Sequence, residues 1–323
     1  MNASECFKKL LAAFGILFFI LSVESSTANA STAGFYFKDN LQSTGISFET
    51  WDNLVVLKAL INEKYSVNLI LDTGISSIIL FSKSTFKSYY DSYHREIPVA
   101  GLGTGSPPKG ILTLNNRIDI NGIRGDGIGI VLMNDAHALP RNILKKIDGI
   151  IGYQLFSRFV VKINFKESVL ELNEPACFAP KQNDIAIPLS VEMTRPYLNV
   201  SVNGSSDEYF LLDTGCSFAV LQFQNGGVKK RDTKPIGIGL NGRIYGTKRK
   251  NISFSSGKYD FKNQEVIRVA DTKSGKYRSS GTVGSGFLRQ FDSVTIDYFG
   301  GMLYLGKKGT ELFISASSIL KDL

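Results

Sequence analysis

The hydrophobic pattern of this 323-residue chain is organised by one acidic turn that occurs twice between apolar runs. Asn68-Leu69-Ile70-Leu71 leads into Asp72-Thr73-Gly74 and leaves through Ile75-Ser76-Ser77-Ile78-Ile79-Leu80. Tyr209-Phe210-Leu211-Leu212 leads into Asp213-Thr214-Gly215 and leaves through Cys216-Ser217-Phe218-Ala219-Val220-Leu221. Short apolar runs bounded by Asp and Gly predict strands joined by tight turns. Farther on, Ile150-Ile151-Gly152 is matched by Thr282-Val283-Gly284. An alternating strand follows each, Val161 to Phe165 and Val294 to Tyr298, and then a closing strand, Val169 to Leu172 and Met302 to Leu305. Asp72 precedes Gly152 by 80 residues, and Asp213 precedes Gly284 by 71. The same features in the same order at similar spacing mark a duplication of about 145 residues.

The fold expected is therefore all-β and two-lobed, each lobe a mostly antiparallel barrel. Helices should be few and short, at Arg141 to Lys146 and in the turn after Gly152 and Gly284. A polar, proline-bearing stretch from Phe178 to Asp184 divides the chain into lobes at 31–178 and 179–323. Each half also holds a glycine-rich hairpin between its matched motifs, Gly101 to Gly110 and Gly237 to Gly246. The second spells G-x-G-x-x-G, but no helix is predicted after it to hold a pyrophosphate, so a hairpin is the better reading of both.

Composition adds a compartment. Lys8 and Lys9, the apolar run Leu10 to Val23 and the small-residue end Ala28-Asn29-Ala30 have the order of an export signal. The run falls short of the roughly 20 residues that span a bilayer. Residues 1–30 are thus expected to be removed, leaving a mature chain that is periplasmic or secreted and has no stable membrane span. A hydrophobic content of 43% and a mean hydropathy of zero indicate a globular chain. The net charge of +8 includes basic clusters at Lys229-Lys230-Arg231 and Lys248-Arg249-Lys250. No nucleic-acid-binding motif accompanies them, so they read as solvated surface and nucleic acid is not an expected partner. His94 and His137 are the only histidines, and no metal-ligand spacing occurs. Neither metal nor cofactor is expected. Tyr89, Tyr90 and Tyr93 read as packing residues. Of Cys177 and Cys216, the second is expected to be buried as a small hydrophobe rather than bridged.

The candidate chemistry lies in the repeated aspartates. Two carboxyls held together cannot both ionise cheaply, so they share one proton. The charged member then takes a proton from a water between them, and the protonated member donates to a carbonyl oxygen. A two-fold related repeat brings one aspartate from each half to the axis. Gly74 and Gly215 permit the tight turn, and the Thr73 and Thr214 hydroxyls are placed to bond across the axis.

These residues give the chain a resemblance to the pepsin-like and retropepsin-like aspartic peptidases, bacterial retropepsin-like proteins among them. Those families share D-T-G after an apolar strand, a glycine-rich flap, and an apolar-apolar-Gly element whose strand crosses behind the turn. The resemblance implies catalytic roles for Asp72 and Asp213, with Thr73, Gly74, Thr214 and Gly215 in support. Ile151, Gly152, Val283 and Gly284 become structural, and Gly103, Thr104, Gly105, Gly239 and Tyr245 flap residues against a peptide or protein substrate. Single-lobe relatives must pair to assemble the site, whereas both aspartates here lie on one chain, which implies a monomer. Three features depart from the pepsin-like pattern. Ile75 and Cys216 stand where a hydroxyl often follows D-T-G, which predicts a mildly acidic optimum. The first hairpin has no tyrosine, and no basic propeptide follows Ala30. The rival reading is a catalytically silent peptide-binding or inhibitory protein on the same scaffold.

Overall fold

Alternation along the strands sorts side chains between the interior and solvent. In Leu54–Ile61, Val55, Leu57, Ala59 and Ile61 are buried while Lys58 and Leu60 are exposed, as a strand with one face on a core requires. The computed structural model describes residues 33–81, 95–99, 101–133, 141–223, 233–269 and 279–306. Residues 1–30, His94, His137, the three tyrosines at 89, 90 and 93, and Lys229 to Arg231 lie outside the described residues.

The first half begins with β1 (Gly34–Phe37), β2 (Ser43–Ser47), β3 (Glu49–Trp51), β4 (Leu54–Ile61), β5 (Tyr65–Leu71) and β6 (Ile78–Leu80). It continues through β7 (Arg95–Pro98), β8 (Lys109–Ile120), β9 (Ile123–Met133), helix α1 (Arg141–Leu144) and β10 (Gly149–Ile151). Helix α2 (Tyr153–Phe156), β11 (Val160–Asn164) and β12 (Val169–Asn173) complete it. The second half opens with β13 (Ile185–Pro188), β14 (Ser190–Glu192), β15 (Arg195–Val202), β16 (Glu208–Asp213) and β17 (Val220–Phe223). Then come β18 (Lys234–Gly239), β19 (Gly242–Ser256), β20 (Tyr259–Val269), β21 (Gly281–Gly284), helix α3 (Ser285–Leu288), β22 (Ser293–Asp297) and β23 (Met302–Gly306).

The molecule is all-β, and its pairings repeat strand for strand. In the first half β9, β6, β10, β5, β4 and β8 pair in that order, and β8 returns to β9 to close a six-stranded barrel. In the second, β20, β17, β21, β16, β15 and β19 do the same, with β19 returning to β20. Directions agree as well: β5 runs parallel to β10 as β16 does to β21. Gly149 faces Leu69 in one barrel, and Gly281 faces Phe210 in the other. A Cβ at Gly149 would lie 2.1 Å from the Ile79 carbonyl oxygen, and one at Gly281 2.3 Å from that of Leu221. Both positions therefore demand glycine.

A third sheet joins the halves. Its order, β13-β23-β22-β11-β12-β2, reads outward from a central antiparallel pair of β11 and β22. Val161, Ile163, Val294 and Ile296 are almost wholly buried on it, each contributing about 1.5–3 kcal/mol. The main core runs continuously from this sheet into both barrels. Two smaller cores lie elsewhere, one around Val56, Ile70 and Ile150, the other around Leu221, Ile244 and Ile267. The helices are one turn each. The first stops at Leu144, short of the predicted Lys146, while the other two follow Gly152 and Gly284. Among the described residues no helix is long and apolar enough to cross a membrane.

Candidate active site

Strands β5 and β16 each deliver an aspartate to the floor of one cleft. The backbone after each strand turns at once, and the turns are bonded to one another. The Thr73 N–H donates to Thr214 Oγ1 at 3.0 Å, and the Thr214 N–H donates to Thr73 Oγ1 at 3.0 Å. Each hydroxyl then donates onward across the axis, Thr73 to the Leu212 carbonyl at 2.6 Å and Thr214 to the Leu71 carbonyl at 2.8 Å. Both threonines are fully buried, so this closed set of four bonds has no water competing for it. One turn cannot shift without breaking bonds to the other.

The carboxyls are oriented from behind. Asp72 Oδ1 accepts the Gly74 N–H at 2.6 Å, and Asp213 Oδ1 accepts the Gly215 N–H at 2.9 Å. The two carboxyls lie within hydrogen-bonding reach of each other. A Cβ on Gly215 would lie 2.3 Å from Asp72 Cγ, and one on Gly74 3.1 Å from Asp213 Cγ. Gly215 is thus required by the carboxyl of the opposite half, and Gly74 is closely packed against it. Behind the turns, Gly152 lies against the Asp72 carbonyl, where a Cβ would come within 1.9 Å. Gly284 pairs in register with Asp213, and Ile151 and Val283, which precede Gly152 and Gly284, are fully buried. The second turn has an extra fastening, since Ser285 Oγ donates to the Thr214 carbonyl at 2.7 Å.

Burial, and after it the charge of Asp213, pushes the Asp72 carboxyl well above the ordinary carboxylate range. Burial pushes Asp213 up as well, while the hydrogen bond with Asp72 pulls it back. The pair therefore holds one proton between its members at pH values where isolated aspartates hold none. Burial, and then the Asp213 charge, likewise pushes up the thiol of Cys216. Cys216 is buried as expected, Cys177 is exposed, and both are free thiols.

The cleft above the pair encloses about 1860 Å³, well beyond the 300–1,000 Å³ of ordinary small-molecule sites. Its roof is double. The tip of the first hairpin and that of the second meet each other. Gly105 N–H donates to the Asn241 carbonyl at 2.6 Å, Asn241 N–H to that of Leu102 at 3.0 Å, and Thr104 N–H to that of Arg243 at 3.1 Å. The glycines allow this contact: a Cβ on Gly103 would lie 2.5 Å from the Asn241 backbone, and one on Gly239 2.2 Å from the Leu102 oxygen. Each tip also packs on the other half's core, Leu102 on the second and Leu240 on the first.

Tyr245 stands on β19, half-buried, next to Ile244, which lines the cleft. Gly103, Thr104 and Gly105 form the tip contact, and beside them Leu102 and the predicted Gly239 line the cleft. The sequence also passed over Trp51, Leu54 and Arg195, which line the cleft walls, and the glycine pair at 149 and 281. Aligning the two halves beyond the quoted motifs finds the glycines. Lys248 of the second basic cluster, on β19, pairs with Glu265 of β20 at 3.0 Å, and both line the cleft. Among the described residues no three His, Cys, Asp or Glu side chains come together as a metal-ligand set. The chain matches no model of a known protein family and no characterised protein.

Proposed function

We propose that this protein is an exported aspartic endopeptidase that works as a monomer. The observation that carries the reading is the pair of carboxyls from Asp72 and Asp213. They lie within hydrogen-bonding reach on turns cross-bonded by Thr73 and Thr214, at the floor of a cleft sized for a polymer segment. An extended peptide lies across the floor, held by main-chain hydrogen bonds to strand edges and hairpins. The ionised carboxyl draws a proton from a water held between the pair. That water attacks the peptide carbonyl carbon while the protonated carboxyl donates to the carbonyl oxygen. Collapse of the tetrahedral species returns the shared proton to the pair and expels the amine after it is protonated. The reaction is balanced by one water alone.

The hairpin tips bonded over the cleft support a gated site: the tips part to admit a chain and close to exclude solvent. Export supports the reading from the sequence side, through the signal-like residues 1–30. The test is cleavage of a denatured protein or peptide library at about pH 4 to 6, inhibited by pepstatin and absent from Asp72→Asn and Asp213→Asn. Equal activity in wild type and both variants overturns it. Peptide binding without any cleavage replaces it with a binding protein.

A further inference from the structure

The cleft walls differ at positions that the duplication makes equivalent. A two-residue turn joins β3 to β4 and closes on the pair Trp51 and Leu54. The matching turn joins β14 to β15 and closes on Glu192 and Arg195. All four residues line the cleft. The pair closing the first turn (the apolar end) is thus apolar and the pair closing the second (the charged end) is charged, although Asp52 of the first turn also lines the cleft.

Arg195 lies near enough to the carboxyl pair for its charge to act on both members. Among the described residues no ion pair engages its guanidinium. A half-buried arginine facing a groove gains from a carboxylate partner, and its planar five-donor fork matches one bidentately. The rim beside it points the same way. The turn at the apolar end is Asp52-Asn53, whose positive φ angles suit those residues, and Asn53 Nδ2 donates across the halves to the Ser217 carbonyl at 3.2 Å. The turn at the charged end carries Met193, 95% exposed and at φ 56. An apolar side chain there is wrong for the turn and for water, and it forms a ready contact for an incoming chain. The net charge of +8 draws anionic chains to the molecule.

We propose that Arg195 is a specificity-determining residue that binds a substrate carboxylate on the side of the scissile bond facing the second half, opposite an apolar side chain near Trp51 and Leu54. This rests on the endopeptidase reading. The carboxylate is that of an Asp or Glu side chain or of the substrate's own C-terminus.

The test compares matched fluorescent peptides differing only in Glu, Gln or Lys at each position, each made with a free and an amidated C-terminus. Wild type should prefer Glu at one position by about tenfold in kcat/KM. Arg195→Leu should bring that ratio to about one, Arg195→Lys should keep part of it, and Arg195→Glu should turn the preference toward Lys. Preference for the free C-terminus with no Glu effect assigns the arginine to the chain end. Cleavage with neither preference, or a Glu preference unchanged in Arg195→Leu, overturns the proposal and leaves the peptidase standing. If nothing is cleaved, the peptidase reading falls. Binding of the same fluorescent peptides to Asp72→Asn then decides for Arg195: a Glu-over-Gln affinity ratio lost with Arg195→Leu supports it, and equal affinities overturn it.

Discussion

The floor and the walls of this cleft obey different rules. On the floor the two halves repeat each other apart from the Ser285 fastening of the second turn: each aspartate accepts its own glycine N–H, and each threonine repeats the other's two bonds across the axis. On the walls the equivalent pairs are Trp51 with Leu54 and Glu192 with Arg195. Under the proposed endopeptidase reading, the contrast follows from what each must meet. One proton and one water between two carboxyls are best served by symmetry, because either member can then take either role. A peptide has direction, and no symmetric wall can read it.

The floor is broken most severely by neutralising one carboxyl. Asp72→Asn or Asp213→Asn should lower kcat by about a thousandfold or more, measured on any peptide the wild type cleaves. Stability should move the other way. A carboxyl whose folded pKa is raised binds its proton more tightly when folded. The native state is therefore favoured most below the ordinary Asp pKa of about 3.9, and that advantage is lost as pH rises through the raised folded value. Asp72→Asn, which has no charge to bury, should melt above wild type at neutral pH and lose that margin at acid pH. A lower melting temperature at both pH values contradicts this account of the site.

Second comes the lattice beneath. Thr73→Val or Thr214→Val leaves an N–H and a carbonyl of the opposite turn buried and unpaired. The expected loss in denaturant unfolding is about 2–4 kcal/mol, with the serine variants losing much less. If valine and serine variants unfold alike, the hydroxyl bonds do not hold the floor.

Why the floor was legible in the sequence and the walls were not has a physical cause. Asp72-Thr73-Gly74 and Asp213-Thr214-Gly215 announce themselves because the turn's needs are local. The strand partners Gly152 and Gly284 could be paired because the duplication keeps their register. The short helices and all-β class followed from run length and alternation. The hairpins were seen, but not that their tips bond to each other, for that contact joins Gly105 to Asn241 across separate halves and leaves no periodic trace. Arg195 and Leu54 escaped because difference at equivalent positions cannot be seen before the halves are aligned through their turns.

The roof gives the third break. Gly239→Ala puts a Cβ where the Leu102 oxygen now lies, 2.2 Å away, so the tips must separate. The hairpin itself is peripheral to the main core. KM should rise about three- to tenfold while the melting temperature stays close to wild type. Equal loss of stability would mean that the tip contact belongs to the fold and not to a gate.

The smallest expected effect is the sharpest on how the floor is tuned. Both carboxyls are pushed upward, chiefly by burial, so the singly protonated pair exists at mildly acid pH and the rate should peak above about pH 4. A maximum below about pH 3 contradicts this. The residues after the two glycines set how far the peak lies from that of a more strongly bonded pair. Ile75 offers no donor, and the buried Cys216 thiol, close enough for the Asp213 charge to act on it, offers a weak one. Cys216→Ser replaces it with a hydroxyl that favours the charged carboxyl, lowering the acid limb of the rate profile and moving the optimum to lower pH. Ile75→Ser should act in the same direction but also loses contacts in the smaller core of the first half, so Cys216 is the cleaner site. Because the two positions are equivalent, equal shifts from both would extend the floor's symmetry by one residue. A shift from Cys216→Ser alone would locate, at that residue, the point where symmetry gives way to the asymmetry of the walls.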